Sequence, residues 1–183
     1  TEGIDAAAVS AWFEANIAGA RAPLAFELIA GGRSNLTFKV TGADGRRFVL
    51  RRPPTSHVLP TAHDMAREFR IISALGPTAV PVAPALVLCE DVGVSGAPFY
   101  VMGYVEGHIV RDSATAERVF TAEQRRAASE NLIDVLADLH AVDVDAVGLG
   151  SLGRREGYIA RQLKRWYGQF QQSTAEQSRR VPS

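Results

Sequence analysis

Residues 25–52 read AFELIAGGRSNLTFKVTGADGRRFVLRR, and this stretch decides the fold. It predicts three strands in a row. Leu28 and Ile29 end the first. Leu36, Phe38 and Val40 alternate with Thr37, Lys39 and Thr41 in the second, the period of two that a strand imposes. Phe48, Val49 and Leu50 centre the third. Gly42-Ala43-Asp44-Gly45 has the composition of a turn, since Asp-Gly tolerates positive φ. Gly31-Gly32-Arg33-Ser34-Asn35 is a small-residue loop between the first two strands. Such a loop can lie over a polyphosphate and offer it backbone N–H groups, with Arg51 reaching the same phosphates. The same residues also suit an ordinary meander with a loose connection, and a Gly-rich loop alone does not choose between the two.

On the N-terminal side, Asp5 can cap a helix carrying Val9, Trp12, Phe13 and Ile17, with Gly19 as its stop. This is a packing helix with no chemistry assigned. On the C-terminal side, Pro53 and Pro54 end the third strand because neither can donate to a ladder. Thr61 to Asp64 resembles a capping box, and Met65, Phe69, Ile72 and Leu75 follow at helical spacing. Glu68 falls inside that apolar arc. A carboxylate aimed at a core is costly unless a cation meets it. Strand alternation places Val49 and Arg51 on one face, Phe48, Leu50 and Arg52 on the other. Either arginine could meet Glu68, or Glu68 could reach water at the stripe's edge.

Gly76-Pro77 ends this helix. Residues 85–91 (ALVLCED) predict a fourth strand, 92–98 a turn, and 99–105 (FYVMGYV) a fifth. The fifth is apolar on both faces, which places it inside the sheet rather than at a wet edge. After Glu106-Gly107 only helices are predicted. Thr121 and Gln124 form a capping box before the stripe Leu132, Val135, Leu136 and Leu139. Tyr158 opens a last helix carrying Ile159, Leu163, Trp166, Tyr167 and Phe170.

The whole chain has 183 residues, 46% hydrophobic and 22% charged, the composition of a soluble globular protein. Twenty basic and twenty acidic side chains cancel, so no global field argues for nucleic acid or an anionic membrane as partner. Cys89 is the single cysteine, which fits a reducing, cytoplasmic setting and a core role. No apolar run approaches the roughly 20 residues that cross a bilayer. His57 and His63, across a helix start, read as solvated rather than metal-binding. His108 stands beside the predicted linker, where it could line a cleft or face solvent. Lys39 and Lys164 read as surface charges.

The order of these elements resembles the N-lobe of a protein-kinase-like fold. GGRSNLTFKV, FVLRRPP, REFRIISAL, PFYVMGYVEG and LADLHAVD, in that order, resemble the aminoglycoside phosphotransferase (APH) family. They are nearest the subgroup fused to acyl-CoA dehydrogenases. The fold so implied is α+β, a five-stranded antiparallel sheet with one helix, followed by the first helices of an incomplete C-lobe. Residues 1–105 would be the nucleotide-facing N-lobe and 106–183 the partial helical C-lobe.

The resemblance also implies roles. Gly31, Gly32, Arg33, Ser34 and Asn35 match the loop over the ATP phosphates. Arg51 takes the place of the third-strand Lys on the α- and β-phosphates, and Glu68 matches the helix Glu that orients it. Met102, Gly103 and Tyr104 match the linker whose backbone binds adenine. Arg51 is a planar fork where relatives carry a point charge. Gly103 stands where relatives usually carry an acidic residue, and should loosen the linker. The implied cofactors are ATP and Mg²⁺. The His-Gly-Asp motif, its following Asn and the further metal-binding Asp are not in this sequence, and His140-Ala-Val-Asp143 reads as a helix end. The expectation is a fragment with no catalytic or metal residue, the Mg²⁺ ligands lying beyond Ser183. Its parent would phosphorylate a small-molecule hydroxyl, with a slight lean toward a hydroxyacyl acceptor. Self-association through the helical stripes, or a mobile last helix, is also expected. The alternative is a non-catalytic nucleotide-binding or interaction module on the same lobe.

Overall fold

A computed structural model describes residues 3–29, 35–55 and 64–179, with side chains described as far as Gln171. Five strands, β1 (Ala25–Leu28), β2 (Leu36–Thr41), β3 (Arg47–Arg52), β4 (Ala85–Cys89) and β5 (Phe99–Gly103), form one sheet in the order β1-β2-β3-β5-β4. Every neighbouring pair is antiparallel. The strand apolar on both faces, β5, lies inside the sheet as its composition requires.

Alternation gives the sheet two unlike faces. Phe38, Val40, Phe48, Leu50, Phe99 and Val101 point to one side and are buried there. Helix α1 (Ala6–Asn16) covers them with Val9 and Phe13. The Phe13 ring meets Phe48 edge-on, and Trp12 does the same to Phe99 with centroids 4.9 Å apart. Each large side chain so buried contributes ~1.5–3 kcal/mol, so this face anchors the sheet. Asp5 caps α1 by accepting from the Ala7 and Ala8 N–H groups. The other face carries Thr37, Lys39, Val49, Arg51, Tyr100 and Met102, a mixed polar surface that a core would not tolerate.

Helix α2 (Met65–Leu75) belongs to that second face. Asp64 is its N-cap, accepting from Arg67 N–H at 2.9 Å, and Gly76 its C-cap. Thr61 and His63 lie outside the described residues, as does His57. Between β4 and β5, where a plain turn is expected, Asp91 caps one helical turn, α3 (Val92–Ser95), which Gly96 ends at φ 78°. Past β5, helix α4 (Ser113–Val119) is an element the periodicity did not predict. Its signal is Asp112, which accepts from Thr115 N–H at 2.7 Å. Helix α5 (Ala122–Ala141) starts at the expected capping box, both of whose hydrogen bonds form.

The chain divides into two compact units, residues 1–143 and 144–183. Glu106 lies inside the first. The second holds helix α6 (Tyr158–Arg179), beginning at the predicted Tyr158. Ahead of it, the Arg155 guanidinium pairs with Asp145 and holds that carboxyl below its ordinary range.

Candidate functional site

The site begins with β3. Its alternation sends neighbouring arginines to opposite faces, and this settles which one meets Glu68. Arg52 goes to the packed face. It is buried, and its Nη1 donates to the Ser95 carbonyl at 3.0 Å, while its Nε is buried without a hydrogen-bond partner. Burial pulls its pKa down. Arg51 goes to the mixed face, where its Nε donates to Glu68 Oε2 at 2.8 Å. Its Nη1 donates to Thr37 Oγ1 at 3.3 Å on the adjacent strand, where Thr37 and Arg51 are register partners.

Glu68 sits in the first turn of α2, where the helix dipole favours an anion. Three side chains hold its carboxylate. Besides Arg51, the Asn35 amide Nδ2 donates to Oε1 at 2.9 Å and the Tyr100 hydroxyl to Oε2 at 3.1 Å. Burial first, and then the nearby Glu68 charge, push the Tyr100 phenol upward, so it remains a donor across the physiological range. Asn35 is itself buried.

Next to this cluster, on the same face, opens a cleft of about 610 Å³. Leu28, Thr37, Lys39 and Val49 line it from the sheet, and Met102 to Val105, Gly107 and Ile109 line it from the segment leaving β5. Arg51 and Glu68 do not line the cleft. Thr37 does, and joins it to Arg51. Lys39 is not the free surface charge its position in the sequence suggests: its Nζ pairs with Glu27 at 2.5 Å, and both border the cleft.

The linker shows a feature that only register reveals. Gly103 N–H donates to the Pro84 carbonyl at 2.8 Å. In an antiparallel pair the return bond would run from residue 84 to the Gly103 carbonyl, but proline has no N–H to give. The Gly103 carbonyl therefore lacks its ladder donor, and Gly103 lines the cleft. The linker also touches β3. The Arg47 guanidinium lies 4.9 Å over the Tyr104 ring and pairs with Glu106.

Of the residues expected to bind nucleotide, the structure brings together Asn35, Arg51 and Glu68 in one cluster and Met102, Gly103 and Tyr104 along the cleft. Gly31, Gly32, Arg33 and Ser34 lie outside the described residues. His108 is exposed, turned edge-on to Phe120, and does not line the cleft. Sequence reasoning missed Tyr100 and Thr37. Tyr100 had a legible signal, a hydroxyl in an apolar strand two residues from Met102 and so on its face. Thr37 had none, because its role comes from register.

The strand order, the third-strand cation paired with the helix carboxylate, and the cleft between sheet and linker define a protein-kinase-like N-lobe. The profile of the phosphotransferase enzyme family (APH) matches residues 25–180, and the chain belongs to that family. A solved structure from Ralstonia eutropha, assigned as an aminoglycoside phosphotransferase, superposes with a TM-score of 0.72 at 36% identity. It covers 92% of this chain and 48% of its own. Acyl-CoA dehydrogenase family member 10 of Mus musculus is 40% identical over 139 residues, 76% of this chain and 13% of that protein. Family member 11 of Gallus gallus is 40% identical over 141 residues, 77% of this chain and 18% of that protein. The chain thus spans less than a fifth of these curated relatives and about half of the solved structure.

Proposed function

We propose that this chain is the nucleotide-binding part of an ATP-dependent small-molecule phosphotransferase. The observation that carries the reading is the Arg51–Glu68 pair, 2.8 Å long, on the face where the cleft opens. The cleft has the size and the mixed lining of a small-ligand site. The Gly103 carbonyl, with no ladder donor at Pro84, suits an exocyclic amino group such as that of adenine, with the base lying against Val49 and Met102, which line the cleft side by side. Thr37 and the remaining donors of Arg51 then lie toward the phosphates. With Glu68 balancing its charge, Arg51 would act by aimed hydrogen bonds more than by net charge.

In the reaction proposed, the bond from the γ-phosphorus to the bridging oxygen breaks and one to the acceptor hydroxyl oxygen forms. The hydroxyl proton leaves to a carboxylate base, the role of the Asp in the family's His-Gly-Asp motif. Mg²⁺ would neutralise developing charge on the phosphates. Among the described residues no group of three His, Cys, Asp or Glu side chains could hold a metal, so no step is assigned to Mg²⁺ here. The relatives' acyl-CoA dehydrogenase names favour a hydroxyacyl acceptor. Among the described residues no helix is long and apolar enough to cross a membrane.

The test is calorimetric titration of ATP into the wild-type chain and an Arg51→Ala variant. Hydrogen bonds to a charged group contribute about 1.5–3 kcal/mol, so the variant should bind roughly ten- to a hundredfold more weakly. Equal affinities would remove Arg51 from the site, and no binding by the wild-type chain would overturn the reading.

A further inference from the structure

The Glu68 carboxylate accepts three hydrogen bonds from three separate parts of the chain. Arg51 comes from β3, Tyr100 from β5, and Asn35 from the residue just before β2. Each carboxylate oxygen has two lone pairs. Oε2 is filled by Arg51 Nε and the Tyr100 hydroxyl, and Oε1 is turned to Asn35. A carboxylate held at one oxygen can rotate about its last torsion, whereas one held at both cannot.

Its orientation fixes Arg51. The contact is through Nε alone rather than a two-pronged fork, and Nη1 is drawn to Thr37. The guanidinium is thereby turned so that its Nη1 donates to the cleft-lining Thr37 rather than to the acid. Were Glu68 free to rotate, the usual fork geometry would compete, turning a second N–H donor of the same guanidinium edge onto the carboxylate.

We propose that Asn35 and Tyr100 are positioning residues. By holding Glu68 at both oxygens they keep Arg51 in the single-contact geometry that leaves its Nη donors for a ligand phosphate. Asn35 has a second consequence. It ties the backbone where β2 begins directly to α2, so that a displacement of that segment changes the aim of Arg51. The Tyr100 ring packs beside Phe69, 6.0 Å between centroids, a contact that Tyr100→Phe keeps while removing the hydroxyl.

The inference rests on the nucleotide reading for its ligand but not for its geometry, and the experiment separates the two. Tyr100→Phe and Asn35→Leu would each be compared with wild type in titrations of ATP and of adenosine. In parallel, NMR would follow the exchange of the Arg51 Nε–H with solvent in the unliganded chain. Both variants should weaken ATP about tenfold, leave adenosine within about twofold, and speed the Nε–H exchange. Equal weakening of ATP and adenosine would show a general packing role and overturn the proposal. So would unchanged ATP affinity in both variants. If the wild-type chain binds neither ligand, the nucleotide reading fails, and the Nε–H exchange alone then decides. Exchange unchanged in both variants would sink the positioning role.

Discussion

Arg51 and Arg52 are identical side chains one position apart, and the sheet makes them opposites. Arg51 has a carboxylate within 2.8 Å, while Arg52 has a backbone carbonyl and an unpartnered Nε. Tyr100 shows the same dependence on surroundings. Its pKa is raised in the folded chain by burial and by Glu68, so the stability it contributes is complete below its unfolded value of 10.0. That contribution falls away as pH rises further toward the folded value. Urea unfolding followed from pH 9 upward should show stability falling, and Tyr100→Phe should flatten the fall. A slope unchanged in the variant would assign the effect to other groups. Gly103 is constrained by space. A Cβ there would lie 3.2 Å from the Pro84 ring, which cannot give way without moving backbone. Gly103→Ala should cost about 1–3 kcal/mol in urea unfolding, the usual range for overpacking. A neutral result would mean the linker yields more readily than its Arg47 contacts suggest.

At the scale of elements, α2 depends on its first turn for both stability and site. Asp64 caps the helix four residues before Glu68, so loss of the cap frays the turn that aims the carboxylate. Asp64→Ala should cost about 0.5–2 kcal/mol and weaken ATP as well. Thr121→Ala should cost a similar amount through the α5 capping box yet leave nucleotide affinity alone. Thermal melts and titrations on the two variants, side by side, check this. Equal effects on binding would show that helix stability in general is being read. Most elements were legible because their periods were clear: alternation through β2 and β3, helical spacing in α2, α5 and α6. The helix α4 was not, because seven residues (SATAERV) carry too little apolar pattern. Only its cap, Asp112, marks it.

On the scale of the molecule, each unit carries an exposed apolar stripe among its described residues. Leu132, Ile133, Leu136 and Leu139 on α5 are 42–67% exposed, and Ile159, Leu163, Trp166, Tyr167 and Phe170 on α6 are 61–68% exposed. Apolar rows of this size on a free surface favour association. Sedimentation should therefore show concentration-dependent self-association, reduced by Leu163→Glu with Trp166→Glu. Monomeric behaviour would contradict it, and strong amide protection over residues 158–172 would also exclude a mobile last helix. The second unit should also respond to acid. The folded pKa of Asp145 is depressed by Arg155, so its contribution is present above the unfolded value of 3.8. It is lost as pH falls through the folded value, and Asp145→Asn should remove that part of the acid transition.

By itself the sequence determined all five strands and the longer helices, their order and the two-faced character of the sheet, because residue periods of two and near four are local properties of the chain. It also determined the candidates: a cation on the third strand, an acid in the next helix, a linker after the fifth. Only tertiary structure decided which arginine meets Glu68, that Asn35 and Tyr100 hold the same carboxylate, and that Pro84 leaves the Gly103 carbonyl without its ladder donor. These facts depend on register and on contacts between residues 14 to 33 positions apart. A one-residue slip in pairing would change all of them while leaving every local pattern intact.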